Sequence, residues 1–266
     1  MKLVQGLQRL NFPQEEIDRL VHLMESYINE LVLFNSAYNL VNASDRDQIV
    51  VRHILDSLAA AQIIADIAKK ISNSARQQNA SKSNSRGDIT IADIGSGGGL
   101  PGIPLAAALP QFNFILIERM AKRCAFLQNA AAILGLKNVM VQNQELEKTT
   151  AASIDIATFR AFRPLDKQML KSLLAVLKDG GVLAAYKARR SKIEEEMSAL
   201  GYSKAEASDF CSACGDSFGS RAVFDSEKDS LLYKIIPLEV PFLTDVGDKE
   251  DRERNLVLIR AKGAMF

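Results

Sequence analysis

The chain has 266 residues, and its 47% of hydrophobic residues is enough for a full core. Its formal net charge of +1 excludes a global basic field that would hold nucleic acid non-specifically, so any such contact must rest on a local patch. No apolar run approaches about 18 residues, and the N-terminal residues lack the apolar stretch of a secretory signal. We therefore expect a cytoplasmic protein without a membrane span.

The three cysteines, an odd number, do not form a closed disulfide framework and indicate a reducing compartment. Cys211 and Cys214 have the C-x-x-C spacing of a zinc half-site. The second half is absent, because the remaining soft ligands, Cys124, His22 and His53, lie far away in segments with helical patterns. We therefore predict that the chain binds no metal.

The N-terminal part of the chain has the pattern of helices. Residues 14–38 carry apolar side chains at helical spacing along one face, and residues 48–71 continue in the same way with a break predicted near Asp56. Residues 69–88 are polar, which is typical of a flexible connector. We predict a helical extension over residues 1–68, a linker over 69–88 and a core over 89–266.

Beyond residue 88, short apolar runs alternate with helical stretches. The predicted strands are 89–95, 112–118, 139–142, 154–159 and 182–187, and the predicted helices are 102–109, 120–134, 164–178 and 191–200. This repetition is typical of a parallel sheet covered by helices on both faces. Residues 231–240 and 255–261 leave no room for a helix between them and predict antiparallel strands at one edge, whereas residues 202–230 receive no assignment.

A glycine-rich turn stands at the start of this core. An apolar run ends in Asp93, and glycine follows at Gly95, Gly97, Gly98 and Gly99 before a helix with Pro104 near its start. A dinucleotide fingerprint would place its third glycine at position 100, where this chain has leucine. The spacing instead resembles the first motif of S-adenosylmethionine-dependent methyltransferases, with a bare structural turn as the alternative. The predicted fold is α/β, a Rossmann-like class I methyltransferase with a mostly parallel, doubly wound sheet.

In such a sheet, the ligand binds beyond the carboxyl ends of the strands. Glu118 follows the second strand, where an acid accepts hydrogen bonds from both ribose hydroxyls, although a solvated acid at a strand end is the alternative. Residues 144–147 follow the third strand, where a side chain packs on or hydrogen-bonds an adenine.

Basic residues follow the fourth and fifth strands and open the second core helix. They predict a basic rim made of Arg160, Arg163, Lys187, Arg189, Arg190, Lys192, Lys122 and Arg123. Such a rim indicates RNA contact, with solubility alone as the alternative. The fourth strand is not followed by the Asn-Pro-Pro-Tyr motif that serves methylation of exocyclic base amines, and no strand ends in a cysteine for covalent attack on a pyrimidine.

Several motifs resemble the glucose-inhibited division protein B family, methyltransferases that act on N7 of a guanine in small-subunit (16S) ribosomal RNA. The resemblance covers most of the chain and is most specific in His-Ile-Leu-Asp-Ser-Leu from His53 and in Leu-Pro-Gly-Ile-Pro from Leu100. Further matching segments are 39–42, 93–105, 122–127, 134–138, 155–161 and 254–256. Residues 69–88 and the stretch near Cys211 depart from the family pattern, so the resemblance implies no role for any residue in these two segments.

The resemblance implies S-adenosylmethionine as cofactor, with contacts at Gly95, Leu100, Leu146, Glu147 and Arg160. The argument from strand ends adds Gly97 and Glu118. The implied partner of the monomeric enzyme is 16S ribosomal RNA, in the small subunit or its assembly intermediate, without DNA. Guanine N7 is a lone-pair nucleophile with no proton to remove, so we name no acid-base residue. The alternatives are a methyltransferase for another RNA, a protein or a small molecule, and a non-catalytic ribosome-assembly factor that keeps the fold.

Overall fold

The computed structural model describes residues 2–78, 89–160, 165–204, 232–244 and 252–260. The N-terminal helices are α1 (Lys2–Arg9), α2 (Gln14–Tyr38), α3 (Arg46–Ile49), a π-helix (Val50–Leu55), α4 (Asp56–Leu58) and α5 (Ala61–Gln78). The helix predicted over residues 14–38 is confirmed by α2. Helix α5 runs on to Gln78, past the end that the sequence pattern predicted at residue 71, because polar residues extend a helix that is already nucleated upstream. The linker predicted over residues 69–88 overlaps this helix, and its role as a boundary stays a prediction. Residues 79–88 lie outside the described part.

The core alternates strands and helices as predicted. Its elements are β1 (Thr90–Ile94), α6 (Gly102–Ala108), β2 (Asn113–Glu118), α7 (Ala121–Ile133), β3 (Val139–Asn143), a 3-10 turn (Leu146–Lys148), β4 (Ile154–Arg160), α8 (Lys167–Ala175), β5 (Leu177–Lys187), α9 (Arg190–Ala199), β6 (Ser203–Lys204), β7 (Leu232–Pro237) and β8 (Asn255–Arg260). Strand β5 begins earlier than predicted and contains Gly180 and Gly181. The register against β4 shifts there, from Ile154 opposite Leu177 to Ile156 opposite Val182.

The eight strands form one sheet in the order β3-β2-β1-β4-β5-β8-β7-β6. Strands β1 to β5 are parallel, and β8 lies antiparallel between β5 and β7. The predicted fold class, with its antiparallel tail, is therefore confirmed. The strand order reverses between β1 and β4, and a ligand crevice is expected at the carboxyl ends of those two strands.

Two hydrophobic clusters lie on opposite faces of the sheet, because successive strand residues point to opposite sides. Ile91 belongs to the cluster covered by the N-terminal helices with α6 and α7, whereas Ala92 belongs to the cluster covered by α8 and α9. The N-terminal helices thus share one continuous core with the sheet. The division of the chain into an extension and a methyltransferase core stays a prediction.

Among the described residues, one helical run, Arg46–Asn73, is long and apolar enough to cross a membrane, with a hydropathy of 1.2. Within its most apolar window, 61% of the residues are buried inside the protein. A core helix that is mostly buried passes the same test of length and composition, so this run is weak evidence for a membrane span.

Candidate cofactor and acceptor site

The loop between β1 and α6 takes a shape that requires glycine. Gly95, Gly97 and Gly99 have φ angles of 70°, 56° and 89°, in the left-handed region that residues with a Cβ rarely adopt. A Cβ on Gly99 would also lie 2.6 Å from Cγ1 of Ile103 and 2.9 Å from the Tyr27 hydroxyl. The glycine spacing in the sequence therefore reflects both the turn and the close packing around it.

Four of the five backbone amides from Gly95 to Gly99 already donate hydrogen bonds within the protein. The amides of Gly95 and Ser96 donate to the Ile117 carbonyl at 2.8 and 3.1 Å, and that of Gly99 donates to Ser96 at 2.7 Å. A pyrophosphate-binding loop keeps such amides free for the phosphate oxygens. The loop is consequently suited to a ligand without phosphate groups.

Asp93 occupies the N-terminus of helix α6, where a dinucleotide would place its pyrophosphate. Its Oδ2 accepts a hydrogen bond from the Gly102 amide at 3.0 Å, and the side chain is buried. Burial raises the pKa of Asp93 to about 7, against the hydrogen bond from Gly102, which lowers it. The carboxyl group of Asp93 thus takes the position at the helix N-terminus that a pyrophosphate would need.

Glu118 lies at the end of β2, beside the glycine-rich loop, as the sequence predicts. Only 5% of the residue is exposed. Its Oε2 accepts from the Gly97 amide at 3.0 Å and its Oε1 from the Met120 amide at 2.9 Å. Each carboxylate oxygen has two lone pairs, so this anchored side chain retains acceptor capacity for two ligand hydroxyls.

Two adjoining cavities lie along the carboxyl ends of the strands. The smaller measures about 430 Å³ and contains Gly95, Glu118, Leu146 and Glu147 in its wall. The larger measures about 1150 Å³ and is lined by Gly95, Gly97, Leu100 and Arg160. The structure thus brings all the predicted site residues to one region, although their role as cofactor contacts stays a prediction.

The N-terminal helices supply a charged network to the larger cavity. Arg160 Nη1 donates to Asp56 Oδ2 at 2.9 Å, and Arg254 Nε lies 3.4 Å from the other oxygen of the same carboxylate. Asp56 stands just after the π-helix, an element that is frequent at functional sites. The sequence motif around His53 pointed to this segment only through the family resemblance, and its contact with Arg160 was missed.

His53 is held as a neutral ring. Because a guanidinium only donates, the 3.3 Å contact from Arg160 Nη2 makes His53 Nδ1 an acceptor, and the proton lies on Nε2, which faces the Asn42 carbonyl at 3.3 Å. Burial first, and the nearby Arg160 charge second, lower the pKa of His53 to about 4. The imidazole therefore borders the larger cavity without a charge.

Helix α2 supports the loop from the opposite side. The buried Tyr27 hydroxyl donates a hydrogen bond to the Gly98 carbonyl, and a Cβ on Gly98 would lie 3.1 Å from the Leu40 carbonyl oxygen. The loop is therefore packed directly against the N-terminal helices.

Helix α9 neutralises part of the predicted basic rim. Lys187, Arg190 and Lys192 form ion pairs with Glu196, Glu194 and Glu195 at 2.6, 3.1 and 2.7 Å. The glutamates that follow Arg190 and Lys192 four and three positions later were the sequence signal for two of these pairs, whereas Lys187 pairs with α9 from the end of β5. Arg163 lies outside the described residues, so the RNA-binding role of the rim stays a prediction.

No group of three metal-ligating side chains occurs in the described part of the chain. Cys211 and Cys214 lie outside that part, and Cys124 is a buried free thiol. The structure therefore leaves the predicted absence of a metal untested at the C-x-x-C pair.

A Rossmann-like sheet, a glycine-rich loop with occupied amides and an acid at the end of β2 together define an S-adenosylmethionine-dependent methyltransferase. The GidB family profile, described as rRNA small subunit methyltransferase G, matches residues 20–215. The chain belongs to this family.

Curated relatives include the "Ribosomal RNA small subunit methyltransferase G" of Treponema denticola, which is 34% identical over 97% of this chain and 92% of its own length. The protein of the same name from Treponema pallidum (strain Nichols) is 39% identical over 66% of this chain and 72% of its own length. A solved SAM dependent methyltransferase from Aquifex aeolicus aligns with a TM-score of 0.42 at 13% identity, over 73% of this chain and 97% of that one.

Proposed function

We propose that this chain transfers the methyl group of S-adenosylmethionine to N7 of a guanine in 16S ribosomal RNA. The observation that supports the proposal most directly is the pair of cavities that meet at Gly95, in a chain whose relatives are named ribosomal RNA small subunit methyltransferases. The smaller cavity, with Glu118 at its wall, fits the nucleoside part of the cofactor. The larger cavity has room for a purine base beside it.

The chemistry of guanine N7 matches the groups around the larger cavity. S-adenosylmethionine supplies an electrophilic methyl group on a positively charged sulfur. The N7 lone pair would form the new bond to the methyl carbon while the methyl–sulfur bond breaks and its electron pair returns to sulfur, so that S-adenosylhomocysteine leaves and the positive charge passes to the guanine ring without release of a proton. The neutral His53 and the ion-paired Arg160 therefore serve the reaction by shaping and orienting the pocket, and no general base is needed.

The partner in this proposal is 16S ribosomal RNA, in the small subunit or its assembly intermediate, and the protein acts as a cytoplasmic monomer that binds no DNA. The net charge of +1 favours local contacts with the RNA over a field of the whole protein. An alternative acceptor, another RNA or a small molecule, would use the same cofactor site. A non-catalytic assembly factor would need the two backbone hydrogen bonds of Glu118 for its fold, but not the further acceptor capacity that the carboxylate retains.

The test is to map N7-methylguanine in 16S ribosomal RNA from cells with the protein, cells without it, and cells complemented with Glu118→Ala. We expect one position to lose its methyl group without the protein and to stay unmethylated with the variant. Purified protein, labelled S-adenosylmethionine and either naked 16S RNA or small subunits then identify the substrate form. An unchanged methylation pattern in the deleted cells would refute the proposal.

Calorimetry tests the cofactor separately from the acceptor. We expect saturable binding of S-adenosylhomocysteine and none of NAD, because the loop amides are occupied and Asp93 blocks the helix N-terminus. NAD binding without a response to S-adenosylhomocysteine would contradict the assignment.

A further inference from the structure

We infer that Arg123 binds the carboxylate of the methionine part of S-adenosylmethionine and so positions the cofactor between the two cavities. The inference rests on the cofactor of the proposed function. Arg123 lies near the start of α7 and, like Gly95, lines both cavities. A cofactor that reaches from Glu118 in the smaller cavity to the larger one therefore passes this guanidinium.

The guanidinium of Arg123 has unused hydrogen-bonding capacity. Nη2 donates to the Asn39 carbonyl at 3.3 Å, whereas Nε is buried and has no hydrogen-bond partner in the described part of the chain. Because Nε has almost no accessible surface, a ligand in the cavities would reach the guanidinium at Nη1, for which the described part of the chain provides no hydrogen-bond partner. Within the same described part, Arg123 forms no ion pair with a carboxylate.

The other cations lining the larger cavity are less suited to this role. Arg160 and Arg254 share Asp56, and Lys187 is paired with Glu196. Arg52, Arg189 and Lys192 line the larger cavity but not the smaller, and Arg119 lines the smaller but not the larger. Arg123 therefore combines a free donor with a position beside both cavities.

The ligand group is identified by its charge. The methionine part of the cofactor carries a sulfonium, an ammonium and a carboxylate, and only the carboxylate attracts a guanidinium. The loop offers it few donors, since the amides of Gly95, Ser96 and Gly97 are already engaged. A planar guanidinium matches a carboxylate with two parallel hydrogen bonds, which fixes orientation as well as affinity.

The experiment compares two ligands that differ in the methionine part. S-adenosylhomocysteine contains the carboxylate, whereas 5′-methylthioadenosine keeps the nucleoside and the sulfur and lacks the carboxylate. Calorimetry measures both ligands on the wild-type protein and on Arg123→Gln. Lys122→Gln is the matched control, because it removes a neighbouring exposed charge that lines neither cavity.

We expect Arg123→Gln to bind S-adenosylhomocysteine roughly 10- to 100-fold more weakly, the range for loss of a charge-assisted hydrogen bond. Its affinity for 5′-methylthioadenosine should stay within about twofold, and Lys122→Gln should match the wild type for both ligands. Preserved nucleoside binding in Arg123→Gln would show that the fold and the smaller cavity are intact. Arg123→Lys keeps the charge but loses the planar guanidinium with its two parallel donors, so its affinity for S-adenosylhomocysteine should be intermediate.

An equal loss for both ligands would overturn the inference, because it would show that Arg123 supports the cavity wall alone. Unchanged S-adenosylhomocysteine affinity with weakened RNA binding would also overturn it and would make Arg123 a phosphate contact. Failure of the wild-type protein to bind S-adenosylhomocysteine would instead refute the proposed function itself.

Discussion

Substitution of Glu118 by glutamine should weaken both the free protein and its binding of the cofactor. The carboxylate accepts one amide on each oxygen, from Gly97 at 3.0 Å and from Met120 at 2.9 Å, in a residue that is 5% exposed. Glutamine has a single acceptor oxygen, so one of these two amides must face an NH₂ group. The loss of one charge-assisted bond should lower the free energy of unfolding by about 1–3 kcal/mol without any ligand present.

Urea unfolding at neutral pH measures the first effect, and calorimetry with S-adenosylhomocysteine measures the second, expected as a further loss of about 1.5–3 kcal/mol in binding. Glu147→Gln is the matched control, because its exposed side chain lines the same cavity and should leave unfolding within about 0.5 kcal/mol. If Glu118→Gln unfolds like the wild type and binds S-adenosylhomocysteine equally well, then the carboxylate neither anchors the loop nor holds the cofactor.

Three further changes test other parts of the site. Gly99→Ala should lower the free energy of unfolding in urea by about 2 kcal/mol or more, because φ is 89° and the new Cβ would lie 2.6 Å from a packed carbon. The control Gly135→Ala, at a left-handed position without neighbours within 4 Å, should lower it by only about 1 kcal/mol. Because the pKa of His53 is lowered from 6.5 to about 4, its neutral form adds stability that is present above pH 6.5 and lost as the pH falls towards 4. An NMR titration of the His53 ring with a midpoint near pH 6.5 would be incompatible with a buried, neutral ring. The double variant Arg189→Ala, Arg190→Ala should weaken RNA binding and leave S-adenosylhomocysteine affinity unchanged, and its slope of log affinity against log salt should fall by roughly 0.7–0.9 per lost phosphate contact. An unchanged slope would mean that the rim is only a solvated surface.

The sequence was informative wherever the local spacing of apolar residues determines the secondary structure. The alternation of apolar runs and helical stretches predicted β1 to β5 and the helices between them, and the short tail predicted the antiparallel β7 and β8. The glycine spacing and the acid at Glu118 predicted the loop and its neighbour, because both follow directly from one strand-turn-helix unit and the strand next to it.

The rest depended on contacts between distant parts of the chain. Asp56 and Arg160 are 104 positions apart, and no local pattern indicates that the N-terminal helices reach the end of β4. The basic rim was overestimated for a simpler reason. Counting lysines and arginines after strand ends ignored Glu194 and Glu196, whose positions on α9 neutralise part of that charge.

The contact between Tyr27 and Gly98 means that the N-terminal helices are not an exchangeable recognition module. In a modular enzyme, one cofactor-binding unit keeps its shape while attached segments are replaced to suit new substrates. Here the Tyr27 hydroxyl on α2 and the Leu40 carbonyl pack directly against the glycine-rich loop. Grafting these helices onto another methyltransferase, or removing them from this one, would therefore alter the cofactor loop together with any acceptor preference they confer.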